Sequence, residues 1–326
     1  ELAQKLSIES FRHSGVNSAK QYDLHVDYEK IFEDERLRAP VATPFETINK
    51  NTKGGPGAGD LGLIVAPSNF GKSAALQALT RHANFFGKNV VYFSYEMDGT
   101  AIMSRYIAGL VDIPQEELKF HKDIIDEKMK EQGLGLCRII KDKSCNATIP
   151  IIKNTIEQLK STGFFTDLII IDGLNQLKVL PGQFVKDDNA KYELLTEDLR
   201  DLCAELEIPG WAAWQTNRDG FGNTLNDIKT IGKAIEVFQK ADIVVTFSQT
   251  PEQKQKGECI AYLLKNRHGQ NEIAIVCDYD PNKGLFIERG IVNPMVLLDD
   301  KEKKVINNTV NKFREKLHTG LFDKKK

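Results

Sequence analysis

The stretch Leu61 to Ser73, LGLIVAPSNFGKS, constrains the fold more than any other part of the chain. Leu61, Leu63, Ile64 and Val65 form a compact apolar run of strand length, and Ala66-Pro67-Ser68-Asn69-Phe70 follows as a loop that cannot continue it. Gly71-Lys72-Ser73 then opens a predicted helix that runs on through Ala74, with Gly87 as its stop. The spacing is G-x-x-x-x-G-K-[ST], with Ala66 standing where the first glycine would be. A strand that turns into a helix in this way points consecutive backbone N–H groups and the helix N-terminus at one place. That place suits a phosphate, with Lys72 reaching the β/γ oxygens and the Ser73 hydroxyl ligating Mg²⁺. Gly71 allows the backbone to approach without a Cβ in the way. The competing reading is a chance Gly-Lys-Ser at an ordinary strand-to-helix turn, and the stretches downstream decide between the two.

Composition narrows the class. The chain has 326 residues, 41% hydrophobic and 28% charged, which is ordinary for a soluble globular protein with one large α/β domain and appendages, or two small domains. A net charge of −2 excludes a surface coated in basic residues, so any nucleic-acid contact is a local track. Cys137, Cys145, Cys203, Cys259 and Cys277 are scattered, with no C-x-x-C and no histidine in zinc spacing, which reads as free thiols in a reducing cytoplasm. No apolar run reaches membrane-spanning length, and the N-terminus is charged rather than signal-like. The first residue is Glu1 rather than Met, so an upstream segment is expected.

Residues 1 to about 50 are polar, with a predicted helix in VDYEKIFEDERLR and breaks at Ala39-Pro40 and Thr43-Pro44, and read as an arm or linker. GGPGAGD at 54–60 invites a second phosphate loop, but no lysine or helix start follows it, and a plain turn is the better reading. NVVYFSYEM is a second buried strand with Glu96 at its carboxyl end, where ligands of open parallel sheets sit; Glu96 is therefore a candidate base, against the alternative of a cap for the next helix. Two helical stretches, QEELKFHKDIIDEKMKEQ and TIPIIKNTIEQLKS, flank the short apolar GLCRII. Leu168 to Ile171 is a continuous apolar, β-branched run, the mark of a strand covered on both faces. It ends in Asp172, the arrangement in which a carboxylate at the sheet edge holds the Mg²⁺ shell.

A loop and an amphipathic helix lead to the strand PGWAAWQTNR, with Gln215 at its end as a candidate γ-phosphate sensor, and Arg218 opens a polar, glycine-containing loop. Another helix and strand follow in AIEVFQKADIVVTFSQ, and ECIAYLLKNRHGQNEIAIVCDYD reads as a hairpin turning at His268-Gly269-Gln270-Asn271. Lys265 and Arg267, two apart, share one face near a strand end; on their own they read as solvated cations of an edge strand. The basic tail at 301–326, KEKKVINNTVNKFREKLHTGLFDKKK, reads as a solvated helix with a frayed end and carries no catalytic expectation.

Taken in order, these residues resemble the RecA-type ATPase domain of DnaB-like hexameric replicative helicases, most nearly those of T-even-type phages, over roughly residues 45 to 290. APSNFGKS is similar to that family's A-x-x-x-x-G-K-[ST], YFSYEM to its F-S-x-E-M, IIIDGLNQL to its I-D-Y-L-x-x, WQTNR to its S-Q-x-N-R, and LLKNRHG to its K-x-R-x-G. Gly173 stands where the family often has an aromatic residue and Trp214 where it often has serine.

The resemblance implies an α/β fold, a RecA-like P-loop core with a mostly parallel central sheet flanked by helices and a C-terminal β-hairpin. It implies a motor domain over residues 51–290, an arm over 1–50 that grips a neighbouring subunit, and a C-terminal extension over 291–326. The expected function is ATP-driven unwinding of DNA by a ring, a hexamer, that moves on single-stranded DNA in the cytoplasm, a phage's host cell included. A primase and a helicase loader are further partners it suggests, and no membrane is involved. ATP and Mg²⁺ would be held by residues 66–74 and Asp172, Glu96 would activate water, and Gln215 would sense the γ-phosphate. Lys265 and Arg267 would be fingers supplied to the neighbour's nucleotide, and Lys178, Lys186, Lys191 and Arg218 would be the cations for the strand in the channel. The alternatives are a filament-forming RecA- or RadA-like recombinase and an ATP-switch loader with little turnover.

Overall fold

The structure, a computed structural model, describes residues 38–67, 70–141, 147–180, 182–183, 185–215 and 235–294. Its strands are β1 (Leu61–Ala66), β2 (Val90–Ser94), β3 (Cys137–Lys141), β4 (Leu168–Asp172), β5 (Gly210–Gln215), β6 (Ile243–Ser248), β7 (Glu258–Asn266), β8 (Ile273–Asp280) and β9 (Leu285–Val292). The helices are α1 (Glu46–Asn51), α2 (Lys72–Phe85), α3 (Gly99–Val111), α4 (Lys122–Met129), α5 (Ile149–Ser161), α6 (Asp188–Leu206), α7 (Ile235–Lys240) and α8 (Pro251–Lys256).

Among the described residues the nine strands lie in one sheet of order β3-β2-β4-β5-β1-β6-β7-β8-β9. The first six are parallel, and β7, β8 and β9 continue the sheet antiparallel from β6. The near-continuous apolar runs of β1, β4 and β6 are buried at every residue, as helices on both faces require. Alternation along β1 divides the core. Leu61, Leu63 and Val65 face Ile152 and Ile156 of α5 and Leu195, Leu199 and Leu202 of α6. Ile64 and Ala66 face the other way, toward Ala75, Leu76 and Leu79 of α2.

Gly62 occupies the α2 side of β1 opposite Trp211 of β5, which is 1% exposed. A Cβ there would lie 2.3 Å from the indole Cε3, so the strand accepts only glycine beside this ring. Gly62→Ala is expected to lower stability by ~1–3 kcal/mol through overpacking, read as a lower urea midpoint at unchanged m-value. An unchanged midpoint would mean that Trp211 repacks without cost.

The structure adds detail to three of these expectations. A compact unit begins at Pro40, and Val41, Phe45 and Ile48 are buried against the α2 face of the sheet, with Phe45 packed on Phe247 and Phe286. The long helical stretch after residue 114 breaks into a 3₁₀ turn, Leu118–Phe120, and the short α4, while GLCRII supplies β3, the edge strand beside β2. The terminal hairpin forms as expected, β7 with β8, but a further strand, β9, extends it. The predicted helix in VDYEKIFEDERLR, apart from Arg38, and the basic tail from residue 295 onward lie outside the described residues.

Candidate active site

The carboxyl ends of β1, β5, β4 and β2 stand side by side: Ala66 is paired with Gln215, and Ser94 with Asp172. Chain reversal after β1 is made by Gly71, which caps α2 at φ 79°, a left-handed conformation. A Cβ on Gly71 would also meet the Tyr279 hydroxyl at 2.9 Å, so β8 presses on the loop from outside. Pro67 is buried and Phe70 packs against the α2-side core. Ser68 and Asn69 lie outside the described residues.

Lys72 is 7% exposed, and its Nζ donates to the Pro67 carbonyl at 2.9 Å, across the loop it would serve. Burial draws its pKa down, against the opposing pull of Glu96 and Asp172. The Ser73 hydroxyl donates to Asp172 Oδ1 at 3.1 Å. Asp172 is 1% exposed, and its Oδ2 accepts from the Tyr92 hydroxyl at 2.8 Å. Burial pushes the Asp172 carboxyl up, while these two donors favour its ionised form. Ala74, next on α2, is buried in the core and holds the helix to the sheet.

A buried carboxylate raised by desolvation, with a hydroxyl oxygen against it, is a hard-oxygen pair at the mouth of a phosphate-shaped turn. Such a pair fits Mg²⁺, which is held by one or two protein oxygens together with substrate phosphates and water. Ser73 and Asp172 are the residues that would hold it.

Glu96 is exposed in the turn between β2 and α3, and Asp98, rather than Glu96, caps α3 by accepting from Thr100 N at 2.9 Å. Gly173 explains one departure from the family pattern. It has φ 105°, and a Cβ there would stand 3.0 Å from Glu96 Cγ and 3.3 Å from Tyr95 Cβ. The other departure, Trp214, is a core residue packed edge-on to Tyr192 and Phe238, with ring centroids at 6.3 and 5.4 Å. Gln215, at the end of β5, has its backbone N–H on Asn175 Oδ1 at 3.3 Å, which ties it to the 3₁₀ turn after Asp172.

Lys265 and Arg267 are placed elsewhere. β7 runs antiparallel to β6, so its carboxyl end lies at the amino ends of β1 and β6. Arg267 therefore stands about a strand's length, roughly 20 Å, from the phosphate loop of its own chain. Its Nη1 donates to Asp242 Oδ1 at 3.0 Å. Lys265 Nζ donates to the carbonyls of Phe238, Gln239 and Ala241 at 3.1, 2.8 and 2.6 Å, closing the C-terminus of α7.

Of the cations expected along a nucleic-acid track, Lys178 and Lys186 are exposed. Lys191 is half-buried over the Tyr192 ring, with its Nζ 3.4 Å from the Asn175 carbonyl. Arg218 lies outside the described residues. Sequence reasoning missed Tyr92, Asn175, Asp242 and Arg200. Asp242 had a signal, an acid immediately before a buried strand. Tyr92 had none beyond a hydroxyl inside an apolar run.

The chain is 24% identical over 237 residues to the DnaB-like replicative helicase of Enterobacteria phage T4, a match covering 69% of this chain and 50% of that protein. With the replicative DNA helicase DnaB of Pasteurella multocida it shares 27% identity over 185 residues, 55% of this chain and 39% of the relative. The chain thus matches half or less of the length of these relatives. Among solved structures, the ATPase domain of G40P superposes at a TM-score of 0.68 and 16% identity, over 83% of this chain and 100% of that one. A DnaB-like replicative helicase, solved in a study of its interactions with primase, gives a TM-score of 0.68 at 17% identity, over 87% and 71% of the two chains. The α/β fold with a mostly parallel sheet is therefore that of DnaB-type RecA-like ATPase domains. Residues 40–286 match the family model of the DnaB-like helicase C-terminal domain, and the chain belongs to that family.

Proposed function

We propose that this chain is the motor of a replicative DNA helicase, which hydrolyses ATP between subunits of a ring, a hexamer by family resemblance, and draws single-stranded DNA through it. The observation that carries this reading is the division of the sheet. Lys72, Ser73 and Asp172 converge at one end of the parallel strands, and Arg267 stands exposed at the other, out of reach of its own phosphate loop. Head-to-tail assembly brings the two ends together.

In this mechanism the backbone of residues 66–74 and Lys72 bind the phosphates, Glu96 takes the proton of the attacking water, and Gln215 responds to the γ-phosphate. Mg²⁺, when bound, neutralises charge on the phosphate oxygens. Arg267, with Lys265 beside it, stabilises charge at the neighbour's site. Lys178, Lys186, Lys191 and Arg218 contact the strand's phosphates, an interaction that weakens steeply with salt. Residues before Pro40 act as the arm toward a neighbouring subunit, and a primase and a loader are further partners. The working place is the cytoplasm, the host's if the chain is of phage origin. Among the described residues no helix is long and apolar enough to cross a membrane. No observation favours the recombinase or the switch reading.

The test is the ATPase rate per subunit against protein concentration, with and without single-stranded DNA, at one low salt. The expected rate climbs with concentration and again with DNA. A flat, DNA-indifferent rate would overturn the shared-site reading.

A further inference from the structure

Tyr92 lies on β2 opposite Ile170 of β4, two residues before Asp172 on the same strand. Ile170 and Asp172 point to the same face, and a diagonal neighbour across a strand pair is within reach of an aromatic side chain. The Tyr92 ring spans that diagonal, and its hydroxyl donates to Asp172 Oδ2 at 2.8 Å. Both residues are 1% exposed, so no solvent competes for the bond. The other carboxylate oxygen, Oδ1, is the one that meets Ser73. Gln77, one turn after Ser73 on the same face of α2, is fully buried beside the Tyr92 hydroxyl.

The two oxygens of Asp172 are therefore not equivalent. One is tied from below by a group rooted in the sheet core. The other faces the phosphate loop. A carboxylate on a short side chain has a broad terminal torsion, and a single fixed partner is enough to choose its setting.

We propose that Tyr92 is a positioning residue for the metal-holding carboxylate: it fixes Asp172 with Oδ2 turned into the core and Oδ1 presented, with Ser73, to the cation. The inference rests on the reading of Asp172 as a Mg²⁺ ligand. It accounts for a tyrosine among the apolar Val90, Val91 and Phe93, since phenylalanine would fill the same space and supply no donor. It also gives the strand beside the metal-holding one a function that the phosphate-binding stretch does not imply.

The test uses the full chain and its Tyr92→Phe variant, with Asp172→Asn as control. Mn²⁺ binding in the presence of ADP is followed by electron paramagnetic resonance, ADP binding in EDTA by a fluorescent analogue, and folding by circular dichroism. Removal of an outer partner of a metal ligand commonly costs ~10–100-fold in metal affinity, so Tyr92→Phe should weaken Mn²⁺ by about tenfold and leave ADP affinity in EDTA unchanged. If Tyr92→Phe binds Mn²⁺ as wild type does while Asp172→Asn does not, the positioning role is wrong. Equal losses with and without metal would make Tyr92 a packing residue only. If Asp172→Asn also binds Mn²⁺ normally, the ligand reading itself has failed. Should Tyr92→Phe not fold, Tyr92→Leu, which also lacks the donor, is judged by the same two titrations.

Discussion

Arg267→Ala should leave nucleotide binding close to wild type and cut ATP turnover by ~10³-fold or more, the range of arginine fingers supplied from another molecule. The structure makes this a clean substitution. The Arg267 side chain is 61% exposed, and it pairs with a carboxylate, Asp242, that does not depend on it. Asp242 is 1% exposed and also accepts from Arg200 Nε at 3.2 and 3.0 Å and from Leu61 N at 3.0 Å. Burial pushes the Asp242 carboxyl up, but the bonds from Arg200, Leu61 and Arg267 outweigh it and hold the group below the usual carboxylate range. With Arg267 removed, the carboxylate remains paired, and the loss of an exposed ion pair costs only about 0–1 kcal/mol. Lys265→Ala would be a poorer probe. Its ammonium closes α7 through three carbonyls, so a loss of activity would mix folding with catalysis. Steady-state hydrolysis and nucleotide affinity, measured on the same preparation, decide the matter. Mixing Arg267→Ala with Lys72→Ala chains should restore part of the rate, because each supplies what the other lacks. Turnover that persists unchanged in Arg267→Ala would place the finger elsewhere.

The second large effect is at Glu96. Glu96→Gln keeps the shape of the side chain, whose Cγ lies where a Cβ on Gly173 would crowd it, but removes the proton acceptor. A general base contributes ~10²–10⁴-fold, so kcat should fall by that factor with ADP affinity retained. The comparison is informative because Glu96 is exposed and Asp98 supplies the cap of α3, so no helix depends on it. A fall of less than about tenfold would assign the base to another group.

Much of the candidate site was legible in the chain because its parts are local. The turn proposed to bind phosphate is a strand, a glycine in a left-handed conformation and a helix start, all within one short stretch, and that geometry follows from residue type alone. Asp172 was legible because a continuous β-branched run can only be a covered strand, and its end can only lie at the sheet edge. The hairpin of β7 and β8 was legible from its alternation and polar turn.

What the sequence could not supply were relations between segments far apart in the chain. Nothing in Pro40–Asn51 separates an arm from a buried entry segment; burial against Phe247 and Phe286, more than 190 residues on, decided that. Lys265 and Arg267 read alike as edge cations, yet tertiary packing gave one a helix terminus to close and left the other exposed on Asp242. Tyr92 read as one more apolar position until β4 was laid beside β2 and brought a carboxylate within reach of its hydroxyl. The sequence by itself determined the turn, the strands and the chemistry each segment offers, because those depend on near neighbours. Which donor meets which acceptor was decided only by the strand order, because hydrogen bonds and ion pairs act over a few ångströms and only folding brings distant residues that close.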